Sequence, residues 1–157
     1  MKGKKIIILL TALILPVLLF LFLKRFGRNE FNVPALFADN LPAITSACEQ
    51  DYKLPYVIDK NLLEEDGVII DSLACVSFLG PESAVRLSRV KDVYAKDPLK
   101  FFSVESAEKR SCVYLLQEPF DVALVDSKGR IRGQYESSDR DEIDRLITEI
   151  AIILKKY

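Results

Sequence analysis

The pattern of apolar and polar positions changes character along this chain and divides it into four stretches. A basic flank, residues 1–5, precedes an uncharged run of 18 residues, Ile6–Leu23. At 1.5 Å per residue that run spans roughly 27 Å as a helix, the thickness of a bilayer's hydrocarbon core. It predicts a transmembrane helix, residues 6–23, in which Pro16 is tolerable. From Asn29 to Asp51 the apolar patches are short (Val33, Ala35-Leu36-Phe37) and interrupted by Pro34 and Pro42, so residues 24–53 read as a juxtamembrane tether.

Residues 54–157 carry the periodicity of a folded domain. Leu54–Asp59 reads as an edge strand that tolerates Pro55, and Glu64-Glu65-Asp66-Gly67 as an acidic turn. Val68–Leu79 (VIIDSLACVSFL) predicts one buried strand, or two short ones joined at Asp71-Ser72. Gly80-Pro81 ends it, and Pro81 with Glu82 opens a helix to about Lys96. Its apolar face is Ala84, Leu87, Val90, Val93 and Tyr94. Leu99–Val104 predicts a second strand, residues 105–111 a helical turn or loop, and Cys112–Leu116 (CVYLL) a third apolar run. The last helix is the clearest: Ser138 and Asp141 resemble a capping box, and Ile143, Leu146, Ile147, Ile150, Ile153 and Leu154 form one stripe. Lys155-Lys156 complement its C-terminal dipole.

Charge is distributed unevenly. All 23 acidic side chains follow residue 28, against 16 of the 22 basic ones, which leaves the domain acidic and argues against nucleic-acid binding. A cleaved signal peptide is the rival reading of the N-terminus. The apolar run exceeds the usual 7–15 residues of such peptides, and Lys24-Arg25-Phe26-Gly27-Arg28 offers no small-x-small cleavage site. Lys2, Lys4 and Lys5 nearly balance Lys24, Arg25 and Arg28 across the run, so charge alone leaves its orientation open.

The richest local signal is Phe120–Tyr135 (FDVALVDSKGRIRGQY). Two apolar segments flank Asp126-Ser127-Lys128-Gly129, the composition of a tight reversal. Pro119 before it, R-G-x-Y at its end and the final helix make an order that resembles the closing unit of a thioredoxin-like domain. Within that α/β fold it most resembles the Sco/SenC family of membrane-anchored copper chaperones. The resemblance implies a sheet with flanking helices, a cis Pro119 beside the site, and a bacterial single-pass protein with its C-terminal domain on the periplasmic side. Known members place a full crossover helix between the second strand and the hairpin, whereas only residues 105–118 are available here.

The same resemblance assigns copper ligands to two cysteines at the strand-to-helix turn and one histidine before the hairpin. Thiolates and imidazole suit copper in both oxidation states. Those positions are Gly80, Ala84 and approximately Glu118, and the chain has no histidine. No cofactor is therefore expected, nor a histidine-based catalytic pair. Cys75 reads as a buried thiol; Cys112 can neighbour it in a sheet, and an oxidising compartment then permits a Cys75–Cys112 disulfide, with Cys48 left unpaired. The expected function is a membrane-anchored, non-catalytic Sco/SenC-like protein. It contacts lipid through Ile6–Leu23 and acts on a protein partner of the cell envelope, with respiratory oxidase assembly as the implied setting. The alternatives are an atypical thiol-disulfide oxidoreductase using Cys75 and Cys112, and a structural membrane module unrelated to copper.

Overall fold

The computed structural model describes residues 2–26, 31–44, 48, 50–80 and 82–155. The chain divides into two units, Met1–Phe31 and Asn32–Tyr157. The first holds one helix, α1 (Lys2–Phe26), with Pro16 inside it and Lys24 and Arg25 in its last turn. Side chains 6–10 lie outside the described set, and among the described residues no helix is long and apolar enough to cross a membrane.

The second unit contains α2 (Lys60–Glu65), β1 (Leu73–Ser77), α3 (Glu82–Arg86), α4 (Ser88–Val93), β2 (Leu99–Ser103), α5 (Ala107–Cys112), β3 (Val122–Asp126), β4 (Ile131–Tyr135) and α6 (Arg140–Ile153). The strands form one mixed sheet in the order β2-β1-β3-β4. β1 runs parallel to β2 and antiparallel to β3, and β3 pairs antiparallel with β4. This is an α/β unit with flanking helices, consistent with a thioredoxin-like fold.

Alternation along the strands sends side chains to two separate cores. Leu73 and Cys75 of β1, Val122 and Leu124 of β3, and Tyr135 of β4 meet Leu87, Val90 and Tyr94 around α4, and Ile143, Leu146 and Ile150 of α6. Each fully buried aliphatic chain there contributes about 2 kcal/mol. Ala74, Val76, Ala123, Val125 and Ile131 face the other way. Ile131 and Tyr135, four residues apart, would share a face in a regular strand. A register shift between Leu124 and Val125 separates them, pairing Val125 with Ile131 but Leu124 with Gly133.

Among the described residues of this second unit, no long helix covers the second face. The connection after β2 forms only α5, capped by Ser106 accepting from Lys109 N at 3.2 Å, and then an irregular stretch, Val113–Leu116, that is entirely buried. Leu115 takes a left-handed conformation (φ 53°). Gln134 Nε2 donates to the carbonyls of Tyr114 (3.3 Å) and Leu115 (2.9 Å), giving this non-repetitive backbone its partners. Cys112–Leu116 is therefore not a strand: its apolar residues plug a face from an irregular backbone.

The rest of that face is covered by the segment read from sequence as a tether. Val33 is buried, and Leu36, Phe37, Leu41, Ile44 and Tyr52 pack against the core from the rim. Leu36 N donates to Ile131 O at 2.8 Å, Gln117 Nε2 to Ala43 O at 2.9 Å, and Arg132 donates to Val33 O. The domain thus begins near residue 32 instead of residue 54. Leu54–Asp59 is no edge strand either. Leu54–Pro55 is cis, and the following amides bond singly to separate loops, Tyr56 N to Phe37 O and Ile58 N to Gly129 O, each at 2.9 Å.

Other elements differ in detail from their sequence reading. The strand within Val68–Leu79 is limited to Leu73–Ser77 after a bend at 71–72. The helix expected to Lys96 is broken at Leu87 into α3 and α4; Leu87, Val90 and Tyr94 are buried, but Val93 is 53 % exposed. Pro81 and the side chain of Ala84 lie outside the described residues. The cap of α6 is Asp139, which accepts from Asp141 N at 2.8 Å, while Ser138 donates to Glu136.

The hairpin turn follows its composition. Gly129 has φ +77°, and a Cβ there would lie 2.6 Å from Ile58 O. Alanine must meet both the left-handed penalty and a backbone collision, so Gly129→Ala is expected to cost about 2 kcal/mol in urea unfolding. Asp126 Oδ1 accepts from the amides of Lys128 and Arg130, and Oδ2 from Arg130 Nε (2.8 Å) and Arg132 (3.1 Å). Burial alone would raise this carboxyl, but the bonds from Arg130, Lys128 and Arg132 outweigh it and hold the pKa below its ordinary value. A carboxylate with a lowered folded pKa stabilises above its unfolded value, about 3.9, and loses that contribution as pH falls through the folded one. Melting temperatures are expected to drop below about pH 4, and Asp126→Asn, less stable at neutral pH, to show a flatter acid limb.

Candidate functional site

The end of the sheet where β1 finishes and β3 begins is where a thioredoxin-like fold carries its chemistry. Three segments meet there. Phe78 N donates to Asp121 O at 3.0 Å, Val104 N to Ser77 O at 2.9 Å, and Asp121 N to Tyr135 O at 3.0 Å. The Glu118–Pro119 bond is cis, as the resemblance implies. Arg110 of α5 clasps the proline on both sides. One guanidinium nitrogen lies 2.7 Å from Glu118 Oε1, and the other donates to Phe120 O at 2.6 Å.

Gly80 follows β1 with φ +56°, and a Cβ built there would meet Glu105 Oε1 at 3.6 Å, an ordinary contact. No thiol stands at that turn. Glu118, nearest to the position expected of the histidine, is highly exposed and ion-paired with Arg110. The ligand position at Ala84 falls on a side chain outside the described set. Among the described residues, no group of three or more His, Cys, Asp or Glu side chains is placed to hold a metal ion.

Two features of this end were not legible in the sequence. Asp121 is a buried carboxylate whose oxygens accept from Ser137 N (2.8 Å) and Ser137 Oγ (2.9 Å), with Arg86 at 4.0 Å. It ties the start of β3 to the entry of α6, a contact that needs the hairpin to be folded. The second is a cleft of about 320 Å³ beside the proline loop. Pro42 and Ala43 form one wall, and Arg110, Ser111, Gln117 and Glu118 the other. Its volume lies at the small end for ligand sites, and its polar groups are a guanidinium, a carboxylate, a hydroxyl and an amide.

The cysteines are not arranged as the sequence suggested. Cys112 is bonded to Cys48 (S–S 1.97 Å, Cα–Cα 5.4 Å), and Cys75 is free and fully buried. The Cys75–Cys112 pairing fails for a geometrical reason. Cys75 points with Leu73 into the core under α4 and α6, whereas Cys112 leads into Val113–Leu116 on the opposite face of the sheet. Burial pushes the Cys75 thiol up to about 12, so it holds no thiolate at neutral pH. An oxidoreductase built on Cys75 and Cys112 has neither a pair nor a nucleophile.

The site end therefore offers a guanidinium, carboxylates and hydroxyls on a rigid frame, suited to recognising polar groups. Comparison of the chain with protein-family models, with curated proteins and with solved structures returned no match.

Proposed function

We propose that this chain is a membrane-anchored, extracytoplasmic member of the Sco/SenC-like thioredoxin-fold proteins. In this reading copper and thiol chemistry have been lost and binding to an envelope protein remains. The observation that carries it is the occupancy of the site end. The scaffold keeps a cis proline beside the end of β1, but Gly80 and Glu118 stand where ligands would be, and the free thiol lies in the far core. Two further observations support the location. The uncharged run Ile6–Leu23 falls within the single helix α1. The Cys48–Cys112 disulfide suits an oxidising compartment and hence a domain outside the cytoplasm. The acidic domain would meet a partner with a basic surface, and the resemblance places that partner in respiratory oxidase assembly.

Affinity purification of the full chain from solubilised membranes, beside an anchor-only control, tests this. The expected result is enrichment of an oxidase component or copper-handling protein over the control. Equal recovery from both baits would contradict the binding role.

A further inference from the structure

We propose that the Cys48–Cys112 disulfide is a redox latch. In this proposal, exchange with a dithiol frees residues 31–44 from the sheet face they cover, while the remainder of the domain stays folded. The inference does not depend on the membrane reading.

The cover is shallow on one side of Pro55 and deep on the other. Val33 is buried at one end of the strip, but Leu36, Phe37, Leu41, Ile44 and Tyr52 are only partly buried, whereas Tyr56, Ile58 and Leu63 are 6 %, 1 % and 5 % exposed. Residues 31–44 are held by the Leu36–Ile131 and Tyr56–Phe37 amide bonds and by side-chain bonds from Arg132 and Gln117. Beyond them the fastening concentrates at the end of α5. Cys48 is bonded to Cys112; Gln50 and Tyr52 donate to the Cys112 carbonyl, and Tyr56 to the Val113 carbonyl at 2.6 Å. One covalent bond thus secures a strip that, among the described residues, is otherwise held by single hydrogen bonds, Val33 and a rim of half-buried side chains, the profile of a segment that opens locally. The core under α4 and α6 contains no residue of this strip, so it has no reason to loosen with it.

Cys48 is the more exposed residue of the pair, half-buried where Cys112 is 8 % exposed. A thiolate of the dithiol attacks Cys48 Sγ; the S–S bond breaks and its electron pair leaves on Cys112 Sγ, which takes a proton. The second thiol then attacks the mixed disulfide, becomes oxidised with its neighbour, and releases Cys48 as a thiol. Two electrons and two protons pass from the dithiol to this chain. Pro42 and Ala43 form one wall of the cleft beside Pro119. Opening the latch removes that wall, so the redox state of Cys48 and Cys112 governs the shape of the cleft beside Arg110.

The test uses the full chain in detergent micelles, with and without dithiothreitol. Alkylation without denaturant should label Cys48 and Cys112 after reduction, and Cys75 only on unfolding. Amide exchange in 31–44 should quicken about tenfold or more on reduction, while β3, β4 and α6 stay within about twofold. Cys48→Ser with Cys112→Ser should exchange like the reduced protein and ignore the reductant. Unchanged exchange in 31–44 after confirmed reduction would overturn the latch, as would equal quickening in α6, which signals global unfolding. Failure of both cysteines to label without denaturant would overturn it too.

Discussion

Replacing Cys48 and Cys112 together by serine is expected to lower the unfolding free energy of the domain by about 4 kcal/mol. The bond closes a loop with a sequence separation of 64. Removing it restores that loop's freedom to the unfolded chain, which costs about 3 kcal/mol for a loop of fifteen residues and nearer 5 for a hundred. For a domain of this size the loss corresponds to about 15 °C in melting temperature. Urea unfolding under non-reducing conditions measures it. The wild type in reductant should match the double variant, and the variant should not respond to reductant at all. A difference under about 1 kcal/mol would contradict the account, because closing this loop would then add little to the domain's stability.

Gly133→Ala is expected to cost about 3 kcal/mol, a large effect for one methyl group. The ring of Tyr135 lies back across Gly133, and a Cβ there would fall 2.0 Å from the phenol oxygen and 2.5 Å from Cζ. The ring is fully buried, and its hydroxyl donates to Glu149 of α6 at 2.5 Å while the Arg145 guanidinium sits 4.8 Å above it. The tyrosine therefore has nowhere to move without giving up these partners, which adds a lost charged hydrogen bond to the overpacking. A double-mutant cycle isolates the cause. On a Tyr135→Leu background, already destabilised, Gly133→Ala should cost less than about 1 kcal/mol, because the atoms it would strike are gone. Additive costs would show that strand propensity, not the ring, explains the glycine.

The R-G-x-Y segment was recognised in the sequence only as part of a resemblance, and the packing of Tyr135 on Gly133 supplies its physical reason. The hairpin and the last helix were legible for a similar reason. Their signals are local: a D-x-x-G turn whose aspartate accepts from amides two and four residues on, and an apolar stripe at helical spacing. The connection after β2 was legible as a problem, too short for a crossover helix, but its solution was not. That solution joins Cys48 to Cys112 and lays Leu36 and Phe37 beside Ile131, contacts between residues some 60 to 95 positions apart. Nothing in the periodicity of residues 29–51 marks residues 31–44 as a cover, because an irregular strip packs through isolated side chains. The cysteine pairing differs from its sequence expectation for the same reason. Taking CVYLL as a strand put Cys112 beside Cys75, whereas its backbone ends a short helix on the other face of the sheet. At the site, Arg110 and Asp121 gain their roles only through the fold.

Peptide mapping of the full chain, purified with its thiols blocked and digested without reductant, tests most directly that a stapled N-terminal strip completes this domain. The expected result is one cross-linked species joining the peptides of Cys48 and Cys112, with Cys75 recovered as a free thiol blocked only after denaturation. A Cys75–Cys112 species, or three free cysteines, would contradict it and return residues 29–51 to the role of a tether.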